Sequence, residues 1–465
     1  MAVRPDTVVQ WAAITSEEDS RQADSVPNHD NPTAILPLEP SSGRGRRHGT
    51  SGTAPFDRWF RYPAGFASDY AATLLEHLNL SRRGIIVDPF AGSAVTGTAA
   101  QRLGLSFYGI EAHPLIAELG QLKLQVPPAE GRDLIRVGDA LIGKLNSSGT
   151  PSLDNETELV RQCFTVETLR QLVSLRQLIR SGEAGEWTRH LKWALLATLR
   201  DVASARVGWP YQRPGSQRQP QYKDAVSRIR QRIRLMAGDL DLIHGSNSLN
   251  MSDDGYLSQV VQGDAQDASS WSQLAAGSAI GCVSSPPYLN NFDYADATRL
   301  ELYFWGDVTS WAQMCREVRS DMLTATTQQS SVSAAEAASL QLQHYEPIAE
   351  KIGALTTQLR QERISRKRGK EYDRVIPAYF TAISRVLSNL AVSLATKAPV
   401  VLLVGDSAPY GVYIDTPALI ADLSQHLGFV AEKDVILRRR GLRWASNSQR
   451  HGVELSERLV LLRRH

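Results

Sequence analysis

Apolar and polar positions along this 465-residue chain change period several times, and each change predicts an element. Residues 1–50 show no period: they mix Pro, Ser, Gly, Asp and Arg and end in SSGRGRRHGTSG, which predicts a mobile tail. An amphipathic helix is predicted over 68–80. Ile85, Ile86 and Val87 then form a short apolar strand closing on Asp88. A glycine-rich turn, a helix over 98–103 and a strand over 106–110 ending at Glu111 follow, which is one βαβ unit of a parallel sheet. Residues 114–250 read as helical, with Leu169, Leu172, Leu175 and Ile179, then Val226, Ile229 and Ile233, at helical spacing. Strands return at 259–262, before Gly263 and Asp264, and at 279–283, before Ser284. A polar, helix-rich stretch covers 307–370. The end is sheet again, at 400–404, 434–437 and 458–462, with a helix over 417–427. The expected fold is α/β: one doubly wound, Rossmann-like sheet with a C-terminal antiparallel strand pair and two helical insertions.

Composition narrows the class. With 42% hydrophobic residues the chain can bury a large core. The apolar run at 400–404 is far too short to cross a bilayer, and the opening Met1-Ala2-Val3-Arg4 leads into no signal-peptide core. No membrane association and a cytoplasmic location are the default expectations. Cys163, Cys282 and Cys315 stand singly, so neither a disulfide framework nor a metal site is expected. A net charge of +2 leaves room only for local basic patches.

Two strings carry the chemistry. VDPFAGSA at 87–94 opens Gly92-Ser93-Ala94-Val95-Thr96-Gly97, a G-x-A-x-x-G turn between strand and helix. There a glycine lets the backbone approach a ligand, and a small residue lets helix and strand pack. Glu111, at the tip of the next strand, is placed to accept from ribose hydroxyls. This much fits NAD as well as S-adenosylmethionine. The second string, SSPPYLNNFDYAD at 284–296, follows a strand.

Together DPFAGSA, YGIEAHP, GDA and SPPY resemble, in order, the cofactor, ribose, adenine and catalytic motifs of the amino-directed (cytosine-N4 / adenine-N6) DNA methyltransferases. The matching positions lie in 56–124, 259–306 and 372–463. The resemblance implies S-adenosylmethionine as cofactor, with Asp88, Pro89, Phe90, Ala91 and Gly92 around its methionine end. Glu111 would lie on its ribose, and Asp264, Ala265 and Ser284 would complete the pocket. Arg61-Tyr-Pro-Ala-Gly-Phe66 looks like the segment that folds over the methionine moiety, implicating Tyr62 and Phe66; the family usually has Lys where Gly65 stands. The family also usually has glycine where Ala94 stands, a departure that one extra methyl group accounts for.

Methyl transfer from a sulfonium needs an amine lone pair in line with the methyl group. A cytosine or adenine amine is a poor nucleophile because that pair is delocalised into the ring, so acceptors for its hydrogens favour the pyramidal transition state. Ser285 and the Pro286 carbonyl are candidate acceptors, Pro287 stiffens the loop, and Tyr288 offers a ring for the base to stack on. The base must be flipped or unpaired. Methylation at cytosine C5 would need a cysteine nucleophile, and Cys282 reads as core. Ser before Pro-Pro-Tyr resembles the cytosine-N4 enzymes. Alternatives are adenine-N6 methylation, an RNA amino-methyltransferase, a protein-glutamine methyltransferase, a non-catalytic nucleic-acid-binding relative and, from the turn alone, an NAD-dependent oxidoreductase.

Double-stranded DNA is the expected partner, with a restriction or phage-defence partner left open. The candidate contacts are Asn291 and Arg299 after the catalytic string, and Arg206, Arg213 and Lys223 in the first insertion, among Arg200, Arg218, Arg228, Arg230, Arg232 and Arg234 with Trp209 and Tyr211. Arg366, Lys367 and Arg368 of RISRKRGK follow in the second, and Arg438, Arg439, Arg440 and Arg443 form a third basic set. The division expected is a tail at 1–50 and sheet at 51–124, then a helical, target-recognising insertion at 125–250. Sheet at 251–306, a basic helical insertion at 307–370 and sheet at 371–465 complete it.

Overall fold

A computed structural model of the chain describes residues 53–62, 66–81, 84–125, 129–147, 149–204, 219–245, 257–289, 293–325, 330–366, 369–440 and 453–465. Among them, seven strands form one sheet: β1 Ile85–Asp88, β2 Ser106–Glu111, β3 Ser258–Gln262, β4 Ala279–Ser284, β5 Pro399–Gly405, β6 Phe429–Arg440 and β7 Leu455–Arg464. Their order is β3-β2-β1-β4-β5-β7-β6, parallel except for β7, which runs antiparallel to both neighbours. From β1 the chain winds outward through β2 and β3, then returns to the other side of β1 as β4. The switch point between β1 and β4 is where a ligand crevice opens at the carboxyl edge of such a sheet. Registers Asp88↔Gly109 and Glu111↔Gln262 set Asp88 and Glu111 on that edge, and Ser284, paired with Leu402, joins them there.

Helix α1 (Ser68–His77) precedes β1, α2 (Val95–Arg102) joins β1 to β2, and α3 (Pro114–Leu124) follows β2. The last glycine of the turn sets how close α2 lies to the sheet: a Cβ on Gly97 would come within 2.8 Å of the Phe107 ring on β2. Helix α2 starts three residues earlier than the pattern predicts, because Val95, Thr96 and Gly97 are all buried and helical.

The predicted helical stretch contains α4 (Gly131–Gly143), α5 (Glu158–Cys163), α6 (Val166–Arg180), α7 (Thr188–Val202) and α8 (Ala225–Gly245). Their apolar faces share one core with Trp59, Phe60, Ile116 and Leu119, and with Leu300 and Phe304 of α9 (Arg299–Trp305). A second core lies between the sheet and α13 (Tyr372–Ser393), after α10 (Trp311–Met314), α11 (Val332–Leu342) and α12 (Ile348–Ile364). Helix α14 (Thr416–Gln425) joins this core. The sequence pattern did not single out α13. By length and apolar composition it is the one described helix that could cross a bilayer, but 72% of its apolar stretch is buried against the sheet and neighbouring helices. Strand β6 is longer than the predicted 434–437 and reaches Arg440, so its arginines end at the carboxyl edge of the sheet. The tail at 1–50 lies outside the described residues.

Candidate cofactor and catalytic site

Asp88 leaves β1 with both carboxylate oxygens engaged. Oδ1 accepts from the Phe90 amide (3.0 Å) and the Ser284 hydroxyl (2.5 Å), and Oδ2 accepts from the Thr96 hydroxyl (2.7 Å). All three donors are neutral, and burial outweighs them, raising the Asp88 pKa to about 6. Glu111 ends β2 in the same situation: Oε2 accepts from Gly92 N–H (2.8 Å) and Oε1 from His113 N–H (2.7 Å), while burial raises its pKa to about 7.

The turn that carries Gly92 is left-handed twice, at Gly92 (φ 52°) and at Ala94 (φ 59°, ψ 41°). Alanine in that region costs roughly 1–2 kcal/mol, which is the physical content of the departure from glycine. The methyl group packs toward α3. Ala94 is fully buried, and its Cβ lies within 3.3 Å of where a side chain on Gly120 of α3 would begin. Beneath the turn, buried Lys123 donates to the Ser93 carbonyl (3.0 Å), and burial lowers its pKa to about 8.

The SPPY segment is held from three sides. Ser285 Oγ donates to the Leu403 carbonyl on β5 (3.2 Å), Tyr379 of α13 donates its hydroxyl proton to the Pro287 carbonyl (2.8 Å), and the Tyr288 backbone is hydrogen-bonded to the Tyr294 hydroxyl. Since the Ser285 proton is committed to Leu403, its lone pairs are the part of the hydroxyl left to meet a donor. Tyr379 escaped the sequence reading because no local pattern links it to a loop 92 residues away.

These groups surround one cavity, partly open to solvent. Of the candidate residues, Tyr62, Phe66, Asp88, Pro89, Phe90, Ala91, Gly92, Glu111, Asp264, Ala265, Ser285 and Pro287 line it. Ser284, Pro286 and Tyr288 do not. Ser284 is buried against Asp88, and Tyr288 is 8% exposed, so its ring is packed in the protein where an open stacking surface was expected. Residues the sequence reading left out also reach the cavity, among them Thr96, Asp321, Met322 and Leu323.

The charge of the lining discriminates between ligands. Asp88, Glu111, Asp264 and Asp321 line the cavity together with Asp293, which is paired with Arg319 outside the lining, and no Lys, Arg or His lines it among the described residues. Such a wall repels the pyrophosphate of a dinucleotide and suits a sulfonium and an α-ammonium group. Burial also raises the Asp264 pKa, and Asp321 adds to this. The residues therefore fit S-adenosylmethionine: Glu111 would accept from its ribose, Asp264 from its adenine amine, and the Asp88–Gly92 turn would hold its methionine end. Cys282 is fully buried, which holds its thiol protonated far above the usual range and removes it as a nucleophile.

The predicted nucleic-acid contacts fare differently. Arg206, Arg213, Arg218, Asn291, Lys367, Arg368 and Arg443 lie outside the described residues, as do Trp209 and Tyr211. Lys223 Nζ donates to the carbonyls of Asp201 (3.2 Å) and Ala203 (2.9 Å), closing the end of α7. Arg299 pairs with Asp296 and lies 4.2 Å from the centre of the Trp311 ring. Arg200 pairs with Glu301 (2.6 Å), and Arg232 pairs with Asp201 through two bonds (2.8 and 2.7 Å). Arg366 pairs with Glu362 (3.2 Å) and stacks on Tyr410, and Arg438 pairs with Glu457. Of the described basic residues, Arg200, Arg232, Arg299 and Arg438 are thus paired and largely withdrawn from water, whereas Lys223, Arg228, Arg234 and Arg366 remain exposed. Spacing reveals the arginines but not their distant partners.

Three comparisons bear on this site. A family model described as a DNA methylase matches residues 7–121. The Type II methyltransferase M.BsoBI of Geobacillus stearothermophilus is 24% identical over 294 residues, which are 59% of this chain and 56% of that protein. The match therefore spans little more than half the length of that relative. The Type II methyltransferase M.AvaI of a Nostoc species is 24% identical over 429 residues, 82% of this chain and 81% of that protein. A solved rRNA methyltransferase, aviRa of Streptomyces viridochromogenes, has 10% identity, covers 86% of each chain and reaches a TM-score of 0.26, which carries no argument.

Proposed function

We propose that this chain, which belongs to the amino-directed DNA methyltransferase family, transfers a methyl group from S-adenosylmethionine to N4 of a flipped cytosine in double-stranded DNA. The observation that carries the reading is the joining of two sequence-distant strings at one cavity: the DPFAGS turn and Glu111 on one side, and Ser285 and Pro287 on the other. Bound there, S-adenosylmethionine supplies an electrophilic methyl group on sulfur. The lone pairs of Ser285 Oγ accept one amine hydrogen, and the Pro286 carbonyl, which lies behind the cavity lining until the base enters, accepts the other, so that the nitrogen pair turns out of the ring plane toward that methyl. The N–C bond forms as the C–S bond breaks. The methylated amine then loses a proton to water, and no residue need act as a strong base.

Tyr379, Tyr294 and the Leu403 carbonyl hold the acceptors in position, which lowers the entropic part of the barrier. Tyr288 serves the flipped base if its ring is uncovered when DNA binds. The serine of SPPY supports cytosine over adenine. Target recognition is assigned to 125–250, and a segment exchange with a relative must carry Trp59, Phe60 and 295–318 along, because these share its core. A restriction or phage-defence partner and a cytoplasmic location belong to the same proposal.

The test is incubation with unmethylated DNA and S-adenosylmethionine, then mass spectrometry of the nucleosides, with Tyr288→Ala as control. N4-methylcytosine that disappears in the variant supports the reading. N6-methyladenine would keep the mechanism and overturn the base, and methylation of RNA alone would overturn the substrate.

A further inference from the structure

Asp321, Met322 and Leu323 reach the cavity from the stretch that the sequence pattern assigned to a basic helical insertion, and no motif announces them. They arrive there through an unusual turn. Directly after α10, Cys315–Arg319 is π-helical, a rare local widening that is frequently found at functional sites. The turn carries Arg319, with 7% of its side chain exposed, onto Asp293, which itself lines the cavity. Trp311 steadies the arrangement, with the Arg319 guanidinium 4.6 Å and that of Arg299 4.2 Å from its ring centre. An exposed ion pair would add little to stability, whereas a pair this withdrawn from water leaves an uncompensated charge when one partner is removed.

We infer that residues 319–323 form a wall of the cofactor cavity, in which Met322 and Leu323 pack on the adenosine half of the ligand and Asp321 offers a second acceptor beside Asp264. The Arg319–Asp293 pair is the latch that fastens this wall to the exit of the catalytic segment. Met322 contacts the ligand; Arg319 is a positioning residue. The inference rests on the S-adenosylmethionine reading above.

Calorimetric titration of the full chain with S-adenosylhomocysteine, together with melting temperatures, tests it. Met322→Ala is expected to weaken binding about tenfold, the equivalent of one lost apolar contact, with a modest fall in melting temperature because Met322 also packs on the helical core. Arg319→Gln and Asp293→Asn should each weaken binding, and the double variant should be no weaker than the weaker single one, because both remove the same latch. Wild-type affinity in folded Met322→Ala and Arg319→Gln would overturn the wall while leaving the cofactor reading intact. Failure of the unsubstituted chain to bind S-adenosylhomocysteine would overturn both.

Discussion

At the carboxyl edge of the sheet, Asp88 and Glu111 are buried and accept from neutral donors, whereas in the helical segments Arg176, Arg200 and Arg232 each meet a carboxylate. A buried carboxylate that lacks a counter-cation is costly to keep ionised, and its raised pKa is the sign of that cost. A guanidinium matched by an acid is already neutralised and is part of the scaffold. The difference teaches where to look for ligands in this molecule. The acidic edge suits a cationic cofactor, and Arg176, Arg200 and Arg232 hold the helical segments together.

The largest effect expected from breaking this contrast is on stability. Arg200→Met leaves Glu301, whose side chain is 1% exposed, as a buried unpaired acid. The loss should be roughly 3–5 kcal/mol, read from denaturant unfolding, and adding Glu301→Gln should restore most of it. If instead Arg200→Met unfolds like the parent and weakens DNA binding, the helical arginines are a nucleic-acid surface after all.

Next in size is catalysis. Ser285→Ala should lower kcat by roughly 100- to 1000-fold, the usual loss for one transition-state hydrogen bond, while S-adenosylhomocysteine affinity stays within about twofold. A fall in affinity with kcat kept would make Ser285 a cofactor ligand.

Smaller, and specific to the acidic edge, is a pH dependence. Glu111 has a folded pKa raised to about 7 from its ordinary 4.5, so the folded chain holds a proton that the unfolded chain has lost. Its contribution to stability is therefore full below about pH 4.5 and is lost as pH rises to about 7. Ribose hydroxyls donate to the ionised form, so cofactor affinity should rise with pH over the same approach to 7 and then level off. Titrations between about pH 5.5 and about pH 8 should show the rise in the parent and a smaller one in Glu111→Gln, where only the titration of Asp88 near 6 remains of the pair.

The smallest effect is at Ala94. Glycine there relieves left-handed strain of roughly 1–2 kcal/mol but gives back about 0.4–1 kcal/mol through a freer unfolded chain. Ala94→Gly should thus leave the melting temperature nearly unchanged or slightly raised, and cofactor affinity the same. A large gain in affinity would show that the methyl group intrudes on the ligand.

What the sequence determined by itself lies in local terms. The apolar runs at 85–87, 106–110 and 279–283, the G-x-A-x-x-G turn and SPPY each depend on neighbours within a few residues, and each appears as the expected strand or turn. The order of strands and the meeting of Asp88, Glu111, Asp264 and Ser285 at one edge follow from that alternation, because parallel strands deliver their carboxyl ends to the same side. The tertiary structure alone decided which charges are spent. Arg200 finds Glu301 101 residues away, Tyr379 finds Pro287 across 92, and the π-helical turn brings Arg319 to Asp293 and Met322 to the cavity. Hydrogen bonds and ion pairs between distant elements leave no period in the chain, since their partners are chosen by packing after the sheet has formed.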